Sequence, residues 1–373
     1  MFSFKNIYEA YKKCLKNKSN TLNAQYFQSN LIENLIDLEN ELKSRSYKIG
    51  KSICFLTHSP KLREVFAGDF RDRIVHHILV KELEKYYEKR FIFDVYNNRK
   101  DMGTHKAVTR SRGFMNAHND GYYLQLDIKG FFYSLDKNIL FKIIFNDLKT
   151  TDIEYKNEIL WLSNKIIYHN PTKNYIFKGD ASKLKLLGQN KTLFKVAPSK
   201  GLPIGNLTSQ FFANIYMNSF DQFVKRVLKC KHYLRYVDDF VLFSSDKNQL
   251  ALWYKQIKEY LEKILLLQLR DDHRLNKNSD GLDFLGYIIR PNYLLVRNRV
   301  VNNFKYKKAR YLDSYEKQKG KMKLDEIKRF LAIQNSFLSH TKHADSYRLN
   351  QKIGVINEDE CFKKMVAWDN ATN

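Results

Sequence analysis

Two adjacent carboxylates, Asp238 and Asp239, interrupt an otherwise apolar, β-favouring stretch, RYVDDFVLFSSD (235–246). Asp is depleted in strands and neighbouring like charges repel, so a strand serving only as structure has little use for this pair. A third carboxylate, Asp127, ends another strand-like run, YYLQLD (122–127). If the two strands lie side by side, all three acids meet at one rim of a sheet. Carboxylates gathered in this way repel unless they are protonated or hold cations. Oxygen ligands with no His or Cys nearby suit Mg²⁺, which prefers carboxylates plus substrate phosphates. Two such ions can clamp the attacking 3′-oxygen and the departing pyrophosphate of an in-line displacement. The plain alternative is a solvated hairpin turn, which Asp forms readily.

The elements that must hold these residues follow from periodicity. Residues 5–45 read as two helices with a loop near Lys18–Thr21, and apolar spacing predicts another helix over 74–91. Between them, KSICFLTHSPKLREVFAGDFRDRIV has a strand–turn–strand texture, with Ser59-Pro60 at the bend. The segment 122–135 begins as a strand and turns into a helix, and 159–170 is an amphipathic helix. Residues 171–200 form a basic, loop-rich insert. In 206–228 the apolar positions 207, 211, 212, 215, 216, 220, 223, 224 and 227 make one helical stripe. Strand-like segments at 233–243 and 283–296 flank a helix at 248–266, and the chain beyond 300 is helical and basic. The predicted class is α+β, with helices packed around a small central sheet.

Lys and Arg number 65 against 40 Asp and Glu, a formal charge of +25 that points to nucleic acid or an anionic membrane as partner. The membrane is the weaker choice: no apolar run approaches spanning length, and the N-terminus lacks the apolar core of a signal peptide. Cys14, Cys54, Cys230 and Cys361 are scattered without metal-ligand spacing, so a reducing cytoplasm is the expected compartment.

QLDIKGFF, GLPIGNLTSQ, RYVDDF and FLGY, in this order and spacing, resemble the palm motifs of reverse transcriptases, over roughly residues 50–340. Ile204 stands where most of these enzymes have Gln, and Gln210 where most have Pro. In that form the motif resembles the bacterial enzymes of diversity-generating retroelements, and also some stand-alone bacterial reverse transcriptases. The resemblance implies a right-hand polymerase. Its parts would be an N-terminal helical extension (1–49), fingers (50–120) and a palm (121–295) with a ferredoxin-like sheet and the insert 171–200. A helical thumb with the C-terminal tail (296–373) would complete it.

The same resemblance assigns roles. Asp127 and Asp238 fall on the metal-bridging carboxylates, Asp239 on a supporting ligand, and the carbonyl of Ile128 would complete one site for two Mg²⁺ ions, with Mn²⁺ as a substitute. Phe132 falls on a steric gate whose ring overlaps a ribose 2′-hydroxyl, while Phe131 reads as core. Lys61 and Arg63 fall on cations that bind the incoming triphosphate. Arg71 and Arg73 pair equally well with Asp69 and Asp72. Gly201, Pro203 and Gly205 make a tight turn feeding a helix and let backbone approach a nucleotide. Ile204 cannot hydrogen-bond nucleotide or template, which would loosen discrimination between right and wrong pairs; otherwise it packs the turn. Arg99 and Lys100 lie in the template loop YNNRKDMGTHKA. Phe284, Leu285, Gly286 and Tyr287 form the primer grip. A helix with a cationic face carrying Arg297, Arg299 and Lys305 would track an RNA–DNA hybrid through sequence-independent, salt-sensitive contacts.

The implied activity is RNA-directed DNA polymerisation from dNTPs on a structured noncoding template RNA. Error-prone retroelement synthesis and stand-alone antiviral defence are its two competing roles. A small basic accessory protein, or a second reverse-transcriptase or defence subunit, is the implied protein partner. A different class is a catalytically silent RNA-binding protein on a polymerase fold, which intact Asp127 and Asp238 oppose. About 30 residues beyond the thumb leave no room for an RNase H or endonuclease domain.

Overall fold

The computed structural model describes residues 1–16, 18–58, 61–188, 191–318 and 322–355. The Ser59-Pro60 bend, Cys361 and the tail beyond 355 therefore lie outside the described residues. Two compact units form from interleaved segments: 1–103, 124–242 and 248–274 make the first, and 104–123, 243–247 and 275 onward make the second.

The first unit opens with α1 (Phe4–Leu15), α2 (Leu22–Ser29) and α3 (Leu31–Lys43). The single helix predicted over the second half of 5–45 is broken at Asn30, whose φ of −126° and ψ of 49° leave the helical region. Strand β1 (Ser52–Thr57) pairs antiparallel with β2 (Arg63–Ala67), setting Cys54 opposite Phe66. Helix α4 (Phe70–Tyr87) follows, its N-terminus capped by the Asp69 side chain accepting from the Arg71 N–H, and α1 packs against it.

Strand β3 (Tyr122–Asp127) leads through a left-handed Gly130 into α6 (Phe131–Ser134), and α7 (Lys137–Lys149) and α8 (Lys156–Tyr168) follow. The insert then departs from the loop-rich expectation. Its strand β4 (Tyr175–Lys178) lies parallel to β1 and makes a three-stranded sheet ordered β2-β1-β4. Buried Glu64 on β2 anchors the rest of the insert, accepting from the Thr192 hydroxyl and from the Leu193 N–H at 2.9 Å. Both bonds favour its charge, yet burial dominates and raises its pKa.

Helix α9 (Leu207–Gln222) is buried on most sides, packs against α4 and α7, and ends in a π-type turn over Phe223–Val227. Strands β5 (Tyr233–Tyr236) and β6 (Asp239–Ser244) form a hairpin, then α10 (Lys247–Ile264) and β7 (Arg274–Lys277) complete the pattern. The four-stranded sheet runs β5-β6-β3-β7, so the two strands carrying the carboxylates are neighbours.

The second unit contains α5 (Thr104–Ala117) and a sheet ordered β10-β9-β8, from β8 (Leu282–Phe284), β9 (Tyr287–Ile289) and β10 (Leu294–Val296). Helices α11 (Asn298–Lys317), α12 (Leu324–Thr341) and α13 (Tyr347–Ile353) follow. Stacked rings at 4.1 Å for Phe304 and Phe337, and at 3.9 Å for Tyr311 and Phe330, zip α11 to α12. Leu312 on α11 is 45% exposed.

Candidate active site

Asp127 closes β3. Asp238 is the second residue of the two-residue turn that joins β5 to β6, where Tyr236 pairs with Asp239. The carboxyls of Asp127 and Asp238 lie close enough for each to bear directly on the ionisation of the other. Burial, reinforced by the charge of Asp127, pushes Asp238 up to about 7. Burial raises Asp127 too, opposed by Arg270 and by Lys61, while Arg63 opposes the shift of Asp238. The two fingers-like cations thus lie within electrostatic reach of the pair.

Arg270 went unnoticed in the sequence. Its Nη1 stands 3.5 Å from Asp127 Oδ2, and Asp272 holds its Nε and Nη2 at 2.8 and 2.7 Å. Backbone places it there: the Arg270 N–H donates to the Asp127 carbonyl and the Lys129 N–H to that of Gln268. Ile128 and Leu269 are therefore a non-hydrogen-bonded antiparallel pair. The Ile128 carbonyl consequently turns away from Leu269, toward the edge of β3 on which β6 lies.

Asp239 stands apart from the expected trio. It already belongs to β6, and its carboxylate accepts from Gln125 Nε2 at 3.2 and 3.4 Å. Gln125 precedes Asp127 by two residues on the same face of β3, about 7 Å away at strand spacing. The pair is Asp127 and Asp238, with Asp239 one step along the sheet.

The hairpin turn is strained. Val237 takes φ +61°, a region that a β-branched residue enters at a cost on the order of 1–3 kcal/mol. Two-residue hairpin loops normally put Gly at such a place. Side chains from elsewhere hold both backbone groups of Val237. Asn97 Oδ1 accepts from its N–H at 2.9 Å, and Arg235 Nη1 donates to its carbonyl at 2.9 Å. Arg235 and Asp221 are both fully buried and joined in a fork, Nε to Oδ1 at 2.8 Å and Nη2 to Oδ2 at 2.6 Å. The Tyr233 hydroxyl also donates to Asp221, and Asn214 bridges Asn97 and Arg235. Only the odd presence of Arg inside an apolar strand, YLRYV, signalled this network in the sequence.

Phe131 is buried and Phe132 half-buried, with ring centroids 5.4 Å apart. Ile204 packs on the cluster of Cys54, Phe66, Tyr133 and Leu193, and its carbonyl accepts from the Phe66 N–H at 2.8 Å. Its side chain is partly buried in that packing. Gly205, at φ +121°, has no room for a Cβ: Val65 Cγ1 would lie 2.7 Å away. Arg71 reaches Glu41 rather than Asp69 or Asp72, and Arg73 Nε donates to the Gly68 carbonyl at 2.8 Å.

Four residues assigned to nucleic acid are engaged within the protein. Arg99 is not a free cation: it pairs with Glu88 at 3.0 Å and donates to the carbonyls of Ile92, Phe93 and Val95. Lys100 beside it is exposed. Phe284 and Tyr287 face the core of the second unit, leaving Leu285 (φ +51°) and Gly286 (φ +92°) as the hairpin tip of the FLGY motif. Arg297 pairs with Asp283 at 2.8 Å, whereas Arg299 and Lys305 are exposed on α11.

Among the described residues no three His, Cys, Asp or Glu side chains gather into a metal cage. The Asp127–Asp238 pair still fits a divalent cation that takes its remaining ligands from phosphate and water. Such an ion would relieve the repulsion between the two carboxylates, and the Ile128 carbonyl could add a neutral oxygen donor.

Two sheet-borne carboxylates brought together by a hairpin, with cations in reach of them on an α+β fold, are an arrangement suited to nucleotidyl transfer. Residues 58–289 match the family model "Reverse transcriptase (RNA-dependent DNA polymerase)", and the chain belongs to that family. It is similar to Protein YkfC of Escherichia coli (strain K12), 24% identical over 328 residues that cover 78% of this chain and 80% of that protein. Among solved structures it is similar to apo telomerase from Candida tropicalis, at a TM-score of 0.47 and 12% identity, covering 69% of this chain and 51% of that one. Telomerase from Candida albicans, bound to a fragment of telomeric RNA, gives a TM-score of 0.45 and 11% identity, over 84% and 56% of the chains. The chain spans little more than half the length of these telomerases. No helix among the described residues is long and apolar enough to cross a membrane.

Proposed function

We propose that the protein extends a DNA primer on a structured noncoding RNA template, adding deoxynucleotides in a Mg²⁺-dependent, two-metal reaction. The mutual approach of Asp127 and Asp238, with Lys61 and Arg63 in reach, is the observation that carries this reading. Asp127, Asp238 and the Ile128 carbonyl hold the metal, with Asp239 in support through its place beside Gln125. Bound magnesium supplies positive charge to the attacking 3′-oxygen and the leaving pyrophosphate. Lys61 and Arg63 draw the triphosphate tail, and Arg270, released from Asp127 as the pair gains its cation, adds a further positive charge. Phe132 excludes the ribose 2′-hydroxyl by overlap. The sheet β2-β1-β4 and its flanks serve as fingers, the four-stranded sheet as palm, and α11 and α12 as thumb. The exposed Arg299 and Lys305 of α11 face the hybrid backbone, and Leu285–Gly286 support the primer.

The GLPIGNLTSQ motif supports a retroelement-type template, with a small basic accessory protein as partner. A repeat pair beside the gene separates that role from antiviral defence. Primer extension on an RNA template tests the chemistry. The wild type is expected to incorporate dNTPs, and Asp127→Ala and Asp238→Ala to lose incorporation while remaining folded. Activity surviving in either variant refutes the assignment.

A further inference from the structure

Val237 is the residue whose backbone aims Asp238, and it sits in a conformation that its own side chain disfavours. Its N–H is held by Asn97, from a distant segment, and its carbonyl by Arg235, from the preceding strand. Asn97 lies just after Tyr96, whose N–H donates to the Arg235 carbonyl, and Arg235 in turn donates its own N–H to the Asp94 carbonyl at 2.9 Å. The segment 94–97 is thus laid alongside β5 by main-chain bonds, which fixes where the Asn97 amide stands. Asn214, fully buried on α9, closes the ring: it donates to the Asn97 carbonyl and accepts from both the Asn97 amide and Arg235. Asn97 is 4% exposed, and Asn214, Asp221 and Arg235 are fully buried, so the bonds among these four side chains are shielded from water.

We propose that Asn97 and Arg235, braced by Asn214 and Asp221, are positioning residues for the polymerase reaction: they hold Val237 left-handed and thereby set the aim of the Asp238 carboxylate. The inference rests on Asp238 being a metal-holding carboxylate, as proposed above. Its physical basis is that reacting groups displaced by about 1 Å lose on the order of 100-fold in rate. A left-handed Val released from its brace relaxes toward φ < 0, and the turn swings Asp238 away from Asp127.

The test uses glycine, which adopts φ +61° without strain. In the full chain, Asn97→Ala is expected to lower kcat for dNTP incorporation about tenfold or more, with the KM for dNTP changed less than about twofold. Adding Val237→Gly to Asn97→Ala is expected to restore most of the lost kcat, because the turn no longer needs a brace. A packing role for Asn97 predicts no such rescue. If Asn97→Ala alone does not fold, recovery of both folding and incorporation in the double variant supports the proposal; a double variant that is folded but inactive, or unfolded, overturns it. Unchanged kcat in folded Asn97→Ala also overturns it. Asp238→Ala is run beside them: if that variant stays active, the catalytic assignment fails, whereas an inactive Asp238→Ala with a fully active Asn97→Ala sinks only the positioning role.

Discussion

Removing Asp221 is the sharpest way to separate what the buried network does for stability from what it does for catalysis. Asp221 and Arg235 have no exposed side-chain surface and are bonded through two nitrogens at 2.6 and 2.8 Å. Asp221→Ala leaves the guanidinium in the core with only the Asn214 amide oxygen and the Val237 carbonyl as acceptors. Stranding one partner of a buried pair costs about 3–5 kcal/mol. At roughly 2–4 °C per kcal/mol for a unit of this size, the thermal midpoint is expected to fall by about 10 °C. The Tyr233 hydroxyl loses its acceptor as well, about 1–3 kcal/mol of the same deficit. The triple variant Tyr233→Phe/Asp221→Ala/Arg235→Met replaces the stranded hydroxyl and guanidinium, along with the carboxylate, by apolar side chains. Replacements of this kind often recover stability, so its midpoint is expected near that of the wild type. Its Val237 carbonyl, however, has lost its donor, and incorporation is expected to remain at least tenfold low. The assays are thermal unfolding by circular dichroism and steady-state primer extension on the same preparations. An Asp221→Ala midpoint equal to wild type refutes the burial reasoning. A triple variant with full activity refutes the hold on the turn.

Other outcomes follow from individual residues. Phe132→Ala is expected to lower dNTP-over-rNTP selectivity by about tenfold or more in single-nucleotide incorporation, and unchanged selectivity removes Phe132 as the gate. Gly205→Ala, with its Cβ driven to 2.7 Å from Val65 Cγ1 at φ +121°, is expected to lose about 1–3 kcal/mol in denaturant unfolding. In the second unit, His105 stacks on His343 at 3.7 Å, and His340 stacks on Tyr287 at 4.2 Å. Burial lowers the pKa of both His105 and His340. Folded-state values below the ordinary imidazole value near 6.5 mean that their stabilising share is complete above that pH and fades as pH drops below it. The thermal midpoint is expected to decline between about pH 7 and 5, and His105→Phe to flatten that decline; an unaltered slope removes this cluster as its source.

The carboxylate pair was legible because strand chemistry exposes it: Asp is costly in an apolar strand, so its presence twice, at the ends of two such runs, carries information. The hairpin was legible for the same reason. The insert was misread because β4 is only four residues, YIFK, too short for its pattern to outvote the lysines and polar residues around it; a parallel partnership with β1, far away in sequence, makes it a strand. Asn30 broke a helix that periodicity carried across it, since apolar spacing ignores a single residue's backbone preference. Arg99 looked like an exposed cation, and only tertiary structure reveals the carbonyls of Ile92, Phe93 and Val95 around it. Asp239 was grouped with Asp238 by adjacency, whereas one residue of strand is enough to send it to Gln125. Of the brace on Val237 the sequence offers only the odd Arg inside YLRYV, because Asn97, Asn214, Asp221 and Arg235 meet only in the fold.

The most direct measurement is the thermal midpoint of the metal-free protein titrated with Mg²⁺, for the wild type and for Asp127→Asn/Asp238→Asn. A cation that binds the native pair and not the unfolded chain raises the midpoint in step with its concentration. The wild type is expected to shift upward and the double variant to stay flat, having lost the charges that hold the ion. Equal shifts in both proteins would contradict the claim that these two carboxylates grip the metal.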